Sequence, residues 1–313
     1  MMPVVILTAG GGKRLGRLGE VYKKILVPVG DKSLLLHHFE TFSRLGEREF
    51  IVVVPPDYED IRTESRKFGS INIEFVVQEK RKGIGHAAAV AAQIVGDRPF
   101  TLVLGDTYYV PGNIIRALGA IKNKQADAIL SVRDVKDRKT ILNECTIDID
   151  SNGIIRKIIE KPSRPLSMKK PCGIYFFSSG FFRILRRISP SPLRGEMEIT
   201  DAIDEFIRKG ARVVGMETLK DDINITYPED ILKANLLYLK EKGLQKYINP
   251  RSFVGKGSVI RKSVVCENCR VPRTARLFRT VLFPKSVVKG GEKITDSLVL
   301  PGFAVKLRSG NEK

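Results

Sequence analysis

Near the start of the chain stands the stretch Leu7-Thr8-Ala9-Gly10-Gly11-Gly12-Lys13-Arg14-Leu15. An apolar run rich in β-branched residues, Pro3–Leu7, precedes it and has the composition of a buried strand. Glycines allow the backbone to approach a bulky anion closely, and the free N–H groups of such a loop bind phosphate oxygens. Arg14 would add a forked set of donors. The stretch therefore predicts a loop that binds a polyphosphate, with an ordinary strand-to-loop turn as the alternative.

Two other phosphate-binding loops fit this stretch less well. A dinucleotide fingerprint that starts at Gly10 would need its third glycine where Leu15 stands. A Walker A loop would need Ser or Thr directly after Gly-Lys, but Arg14 follows Lys13. The sequence therefore disfavours a Rossmann oxidoreductase and a P-loop NTPase.

The length and composition limit the class of protein. The chain has 313 residues, which favours two domains, and its hydrophobic fraction of 42% is normal for a protein with a core. No apolar run approaches the roughly 18 residues of a membrane span, so we expect no membrane partner. A zinc site at Cys266-x-x-Cys269 is disfavoured because no second pair accompanies it. Four cysteines in a chain of this length favour a reduced, cytoplasmic protein.

The net charge of +19 is unevenly distributed. Residues 246–313 carry fifteen Lys and Arg against four Asp and Glu, a balance of +11. Such a basic segment could bind nucleic acid or an acidic partner. No aromatic platform is interleaved with these charges, so a solvated basic face is the favoured interpretation.

Strand and helix patterns alternate through the first half of the chain. This order predicts a parallel sheet covered on both faces, with ligands at the carboxyl ends of its strands. The glycine loop and Gly105-Asp106 both follow such strand ends, so we expect them on one edge of the sheet. A hairpin is predicted around Ser151-Asn152-Gly153, and an amphipathic helix over Glu229–Leu239 closes the domain.

A repeat of 17 residues begins beyond Gly243. Its period is close to three hexapeptides, and Val254-Gly255-Lys256-Gly257 resembles one rung of a left-handed β-helix. The repeat predicts stacked coils of a short β-solenoid, with a loose all-β tail as the alternative. The positions that recur every 17 residues are Val254, Val271, Val288 and Val305; Ile260, Leu277 and Ile294; and Ser263, Thr280 and Ser297.

Taken in order, these motifs resemble the sugar-1-phosphate nucleotidyltransferases, or nucleotide-sugar pyrophosphorylases, that carry a β-helix tail. The resemblance covers roughly residues 3–240, with a second match in the tail. The segments that carry it are Gly10–Leu15, Lys24 with Pro28-Val29, Gln78 with Gly85–Val90, Leu104-Gly105-Asp106, Glu160-Lys161-Pro162, Cys172–Tyr175, Glu198–Asp201 and Asn224–Asp230.

The resemblance implies the fold and the domains. We expect a Rossmann-like, mostly parallel α/β sheet flanked by helices, the nucleotidyltransferase fold, over residues 1–243. A short left-handed parallel β-helix is expected over 244–313 and would form a homo-oligomer.

The resemblance also implies roles for individual residues. Arg14, Lys24, Asp106 and Lys161 would be catalytic, and Asp106 with Asn224 would hold Mg²⁺. The other residues expected to bind the nucleotide or the sugar are Leu7, Ala9, Gly10, Gly11, Gly12, Lys13, Gln78, Gly83, Gly85, Gly105, Glu160, Gly173 and Glu198.

The expected reaction is transfer of a nucleotidyl group from an NTP to a sugar 1-phosphate. An amide such as Gln78 can pair with a pyrimidine edge, which favours UTP or dTTP, and glucose 1-phosphate is the favoured acceptor. The alternatives are a GTP-dependent mannose-1-phosphate guanylyltransferase and a catalytically silent regulatory subunit that binds nucleotide-sugar. Asn224 replaces the more usual second metal-binding Asp, and Lys13, Lys23, His86 and Cys145 also depart from the family pattern. These departures leave the base and the sugar open.

Overall fold

The structure is a computed structural model that describes residues 1–8, 10–191 and 195–308. It divides into two compact units that are not consecutive segments. The first, here called the sheet unit, comprises Met1–Gly10, His38–Gly105 and Tyr109–Asp222. The second, the tail unit, comprises Gly11–His37, Asp106–Tyr108 and the chain from Ile223 onward. The functional boundary expected at residue 243 stays a prediction.

The strands up to residue 224 are β1 Val4–Leu7, β2 Pro28–Val29, β3 Lys32–Ser33, β4 Glu49–Val54, β5 Asn72–Val77, β6 Phe100–Leu104, β7 Thr107–Pro111, β8 Ala128–Asp134, β9 Cys145–Ile149, β10 Ile155–Glu160, β11 Lys169–Phe177, β12 Val213–Met216 and β13 Leu219–Asn224. The α-helices are α1 Arg17–Val21, α2 Leu34–Arg44, α3 Glu59–Ser65, α4 Ile84–Val90, α5 Ala92–Val95, α6 Ile114–Lys122, α7 Arg138–Asn143, α8 Phe181–Leu185, α9 Ile199–Arg208 and α10 Pro228–Glu241. Short 3-10 helices span Lys13–Leu15 and Lys24–Leu26.

The sheet unit is built on a seven-stranded sheet in the order β12-β8-β11-β6-β1-β4-β5. β1 pairs in parallel with β4 and β6, as do β4 with β5 and β8 with β12. β11 is antiparallel to both of its neighbours. The chain reaches β11 through the antiparallel hairpin β9–β10, and only a parallel strand requires a long crossover. The predicted mostly parallel α/β sheet is therefore confirmed.

The core of the sheet unit explains why these strands are so apolar. Val5, Ile51 and Leu102 are fully buried and share one core with small residues of α4 and apolar residues of α9. Because the strands of such a sheet are covered on both faces, they form continuous apolar runs without a polar alternation.

The tail unit contains a stack of strands after α10. Its strands are β14 Lys246–Ile248, β15 Phe253–Val254, β16 Val259–Arg261, β17 Ser263–Val265, β18 Arg270–Val271, β19 Arg276–Leu282, β20 Lys293–Leu300 and β21 Phe303–Lys306.

Parallel pairs in this stack join residues 17 positions apart. Val254 lies opposite Val271, Ile260 opposite Leu277, and Leu277 opposite Ile294. The predicted stacking is therefore confirmed through these coils. The handedness of the predicted β-helix stays a prediction.

The fourth recurrence of the repeat, at Val305, does not stack, and that expectation was wrong. Val305 lies opposite Leu298 because β21 turns back antiparallel to β20. Gly302, with φ +86°, stands in the connecting turn. A strand that turns back pairs with the last coil of the stack and so covers its open edge.

Within the described residues, no helix combines the length and the apolar character needed to cross a membrane.

Candidate functional site

The carboxyl ends of β1 and β6 lie side by side in the sheet unit, as predicted. The N–H of Gly105 donates to the carbonyl of Leu7 over 3.0 Å, and the N–H of Thr8 donates to the carbonyl of Val53 over 2.9 Å. Gly10 is exposed, and a Cβ built on it would meet no atom within 4 Å. Leu7, Gly10 and Gly105 thus lie on the same edge of the sheet. Ala9 lies outside the described residues.

A second group of predicted residues lies around the start of α4. Gln78 is buried, and its Nε2 lies 2.9 Å from Nδ1 of His86 and 3.4 Å from the carbonyl of Gly83. Gly83 has φ +100°, and a Cβ there would lie 2.5 Å from the carbonyl oxygen of Met197.

The segment that precedes α9 is joined to this turn. The N–H of Gly85 donates to the carbonyl of Met197 over 2.7 Å, and a Cβ on Gly85 would lie 3.1 Å from the carbonyl of the buried Glu198. Gln78, Gly83, Gly85 and Glu198 are therefore brought together. His86 was not among the predicted site residues. Its separation from Gln78 by eight residues across a glycine turn was the available signal.

His86 lies in an environment that keeps its ring neutral. Partial burial and the charge of Lys82 both lower the pKa of His86 below its ordinary 6.5. A neutral ring keeps one nitrogen as an acceptor, as the contact with the Gln78 amide requires.

The predicted sugar segments form a third group in the sheet unit. Gly173 in β11 has φ +78°, and a Cβ there would lie 2.7 Å from the Tyr109 hydroxyl. That hydroxyl lies 2.9 Å from the carbonyl of Leu104 and 3.1 Å from that of Gly173, so it joins β11 to the end of β6. No sequence motif pointed to Tyr109.

Glu160 ends β10 opposite Cys145, and the exposed Lys161 follows it with φ +42°. The N–H of Lys161 donates to the carbonyl of Glu144 over 2.7 Å. Burial raises the pKa of the nearby thiols of Cys145 and Cys172, so both stay protonated and unreactive.

In the tail unit the glycine loop presents its two cations to solvent. Gly12, with φ +60°, precedes the 3-10 helix Lys13–Leu15, in which Lys13 and Arg14 are exposed while Leu15 is buried. The guanidinium of Arg14 lies 5.8 Å from the ring centroid of Tyr227. The exposed Gly11 and the half-buried Gly12 leave backbone of the loop accessible to an anion.

Three further predicted residues meet in the tail unit. Nζ of Lys24 lies 3.1 Å from Oδ2 of Asp106, and the N–H of Ile225 donates to the Asp106 carbonyl over 2.8 Å. This backbone bond places Asn224 next to Asp106. Oδ1 of Asn224 is buried and has no hydrogen-bond partner within the described part of the chain.

The oxygens of Asp106 and Asn224 suit a hard cation. Mg²⁺ takes oxygen ligands, commonly from one or two carboxylate or amide groups, and keeps waters or phosphate oxygens on its other positions. A buried amide oxygen without a donor is costly unless a ligand satisfies it. Residues 1–8, 10–191 and 195–308 contain no cluster of three or more His, Cys, Asp or Glu that could hold a metal. The Asp106–Asn224 pair therefore fits a magnesium site completed by a ligand.

The profile of the nucleotidyl transferase family matches residues 3–240 of the chain. The chain is similar to the UTP–glucose-1-phosphate uridylyltransferase AglF of Haloferax volcanii, with 32% identity over 231 residues, 73% of this chain and 93% of that relative. It is also similar to a glucose-1-phosphate thymidylyltransferase of Streptomyces antibioticus, with 28% identity over 312 residues, 97% of this chain and 82% of that relative.

The solved structure of a UDP-glucose pyrophosphorylase complexed with UDP-glucose shares the fold, with a TM-score of 0.69 at 19% identity over 77% of this chain and 99% of that chain. These findings confirm the resemblance drawn from the sequence motifs. The chain belongs to the nucleotidyl transferase family.

Proposed function

We propose that the protein transfers the nucleotidyl group of UTP or dTTP to glucose 1-phosphate, giving an NDP-sugar and pyrophosphate. The observation that carries this proposal is the cluster of Lys24, Asp106 and Asn224. It combines a cation, a carboxylate and an amide oxygen that has no hydrogen-bond partner among the described residues. Such a set of groups suits a polyphosphate with its metal ion. Similarity to a uridylyltransferase and a thymidylyltransferase supports the reaction class and the choice of nucleotide.

The proposed reaction needs no general base. An oxygen of the sugar phosphate forms a bond to the α-phosphorus of the NTP, and the bond from that phosphorus to the α–β bridging oxygen breaks. Pyrophosphate leaves with the electron pair. A phosphate monoester has a second pKa of about 6, so the nucleophile is already ionised at neutral pH. Catalysis then rests on orientation and on neutralisation of charge.

The glycine loop and the residues around Asp106 would bind the phosphates. Arg14, Lys13 and the loop N–H groups of Gly11 and Gly12 would bind the β- and γ-phosphates. Lys24 would neutralise charge that develops at the α-phosphate. When bound at Asp106 and Asn224, Mg²⁺ would offset the negative charge of the phosphate oxygens.

Gln78 and the sugar segments would recognise the base and the sugar. With Nε2 of Gln78 directed at His86, its Oε1 is the atom that can accept the N3–H of a uracil or thymine ring. Lys161 would pair with the sugar phosphate, while Glu160 and the backbone at Gly173 would bind sugar hydroxyls. The buried Glu198, next to Gly85, would complete the group of residues that binds the base.

The test is pyrophosphate release with Mg²⁺ across a panel of NTPs and sugar 1-phosphates. We expect release with UTP or dTTP and glucose 1-phosphate, and we expect Asp106→Asn to lower kcat about a hundredfold or more because a charge on the phosphate–metal cluster is lost. Asp134→Asn, at an exposed side chain of β8, is the matched control and should stay active. GTP with mannose 1-phosphate as the productive pair would correct the substrates. Binding of nucleotide-sugar without any turnover would replace the proposal with a regulatory subunit.

A further inference from the structure

A network of buried charges lies in the sheet unit beside the sugar segments. Lys170 of β11 is only 4% exposed, and its ammonium lies 2.5 Å from Oε2 of Glu144 and 3.0 Å from Oδ2 of Asp222. Asp222 is also buried and pairs with Arg133, which in turn lies 2.9 Å from Asp221. No sequence motif pointed to this network.

Buried charges often contribute less to the stability of the fold than apolar side chains would in the same volume. Removal of one partner of a buried ion pair, however, is strongly destabilising. Burial alone would lower the pKa of Lys170, but Asp222 and Glu144 together outweigh it and raise the pKa above its ordinary value. Lys170 therefore stays charged at neutral pH, and the position of Glu144 is fixed by an ionic bond.

Glu144 connects this network to the sugar-phosphate motif. It follows α7 as the last residue before β9, and its carbonyl accepts the N–H of Lys161 over 2.7 Å. The next residue, Cys145, lies opposite Glu160 in the β9–β10 ladder. Both residues of the motif are thus held by the Glu144–Cys145 backbone.

The backbone of Lys161 needs such support. Its φ of +42° lies in the left-handed region, which is unfavourable for a residue with a Cβ. Such a conformation persists where the surrounding structure fixes it, and it is common where a side chain must point at a ligand. Here the support comes from the Glu144 carbonyl, which accepts the hydrogen bond of the Lys161 N–H.

We propose that Lys170 is a positioning residue for the sugar phosphate. Through Glu144 it fixes the turn at Glu160 and Lys161, so that the Lys161 ammonium is aimed before the sugar phosphate binds. This inference rests on the proposed function, because it assigns a target to Lys161. It predicts that a change at a buried lysine selectively weakens the binding of one of the two substrates.

The test compares Lys170→Met with Lys169→Met. The two lysines are adjacent in β11, but Lys169 is partly exposed and pairs with Asp134 and Glu217, outside the buried network. We expect Lys170→Met to raise KM for the sugar 1-phosphate about tenfold, which corresponds to about 1.4 kcal/mol, with the KM for the NTP unchanged. Lys169→Met should change neither constant. Equal increases in both KM values for Lys170→Met would indicate general damage and overturn the proposal.

A mutant cycle separates positioning from a structural role. If Lys170 acts through Lys161, then Lys170→Met should add little in a Lys161→Met background, whereas independent effects would add. Additive effects would overturn the proposal. Should Lys170→Met fail to fold, Glu144→Gln takes its place, since it keeps the backbone carbonyl and weakens only the ionic bond to Lys170. The same selective rise in KM is expected, and an unchanged KM for the sugar phosphate would contradict it.

Calorimetric binding of UDP-glucose is measured on every variant. A wild-type protein without turnover on any substrate pair would overturn the proposed function. The comparison of Lys170→Met with Lys169→Met in UDP-glucose binding would then still decide the role of Lys170. Weaker binding by Lys170→Met alone is the expected result, and equal binding by both variants would refute the inference.

Discussion

At the scale of single residues, the buried side chain of Asn224 is energetically unfavourable. Its side-chain oxygen is buried and accepts no hydrogen bond within the described residues. An unsatisfied buried acceptor costs about 1–3 kcal/mol, so the fold is more stable when a cation or a donor fills this position. An ordinary turn residue would place its amide in solvent and would not carry this cost.

The lowered pKa of His86 makes the stability of the folded protein depend on pH. The pKa of His86 is lowered by burial and by Lys82, so the folded protein holds the ring neutral while the unfolded chain takes up a proton near pH 6.5. Its contribution to stability is therefore complete above pH 6.5 and is lost as the pH falls through the folded pKa. Protonation also turns the acceptor toward Gln78 into a donor and breaks their contact.

We expect the KM for the NTP to be constant above pH 7 and to rise as the pH falls below 6.5, because Gln78 loses its partner. Steady-state kinetics across this range measure the change. The triphosphate titrates in the same range, so His86→Gln is measured alongside, and the difference between the two profiles isolates the histidine. Identical profiles for wild type and His86→Gln would show that His86 does not orient Gln78.

At the scale of elements, local patterns predicted most of the sheet unit. The apolar run Phe100–Leu104 forms β6, and the stretch Ser33–Leu45, which Gly46 follows, contains α2, Leu34–Arg44. These elements follow from periodicity and from flanking glycines, which act over a few residues. The register shift of β11 between Pro171 and Tyr175 could not be predicted that way. The carbonyl of Gly173, inside the shifted stretch, accepts a hydrogen bond from Tyr109, which is distant in sequence.

Gly173 lies within this register shift and has a positive φ of +78°. A side chain there would be strained by the positive φ and would also press on the Tyr109 hydroxyl. We expect Gly173→Ala to lower the free energy of unfolding by about 1–2 kcal/mol from the backbone alone, with a further 1–3 kcal/mol from overpacking. The KM for the sugar 1-phosphate should rise as well. Urea denaturation and kinetics measure the two effects.

The control for this substitution is Gly46→Ala. Gly46 also has a positive φ, +89°, but a Cβ there meets no atom within 4 Å. It should show the backbone cost alone, with the KM for the sugar 1-phosphate unchanged. Equal losses of stability in the two variants would show that the contact with Tyr109 does not matter.

At the scale of the whole molecule, the sequence predicted an α/β sheet and a stack of coils. It did not predict which segments of the chain belong to each compact unit. The 17-residue repeat could be predicted because equal spacing of similar residues can be read directly from the sequence. The reversal after Gly302 keeps Val305 on the repeat while its strand runs the other way, so periodicity alone could not reveal it. The grouping of Gly11–His37 with the chain from Ile223 onward depends on contacts between distant segments, which no local pattern encodes.

The coils of the tail carry exposed side chains that bear on the predicted homo-oligomer. Phe253, Arg270 and Val287 stand at equivalent positions of successive coils, and the first and last are 61% and 62% exposed. Two large apolar side chains are thus exposed on either side of Arg270, and exposed apolar surface of this kind is typical of an interface between proteins. We therefore expect light scattering to give a mass that is a multiple of 35.0 kDa, and the double substitution Phe253→Asp with Val287→Asp to lower it, because buried charge opposes association.

Ile115→Asp is the matched control, since Ile115 is an equally exposed apolar residue on α6 of the sheet unit. It should leave the mass unchanged. A wild-type protein of 35.0 kDa in solution would reject the oligomer, and a fall in mass with Ile115→Asp instead would move the interface to the sheet unit. If the double substitution separates the subunits while pyrophosphate release continues, each chain holds a complete site and the tail serves assembly. If activity is lost with the mass, the proposed reaction depends on contact between copies.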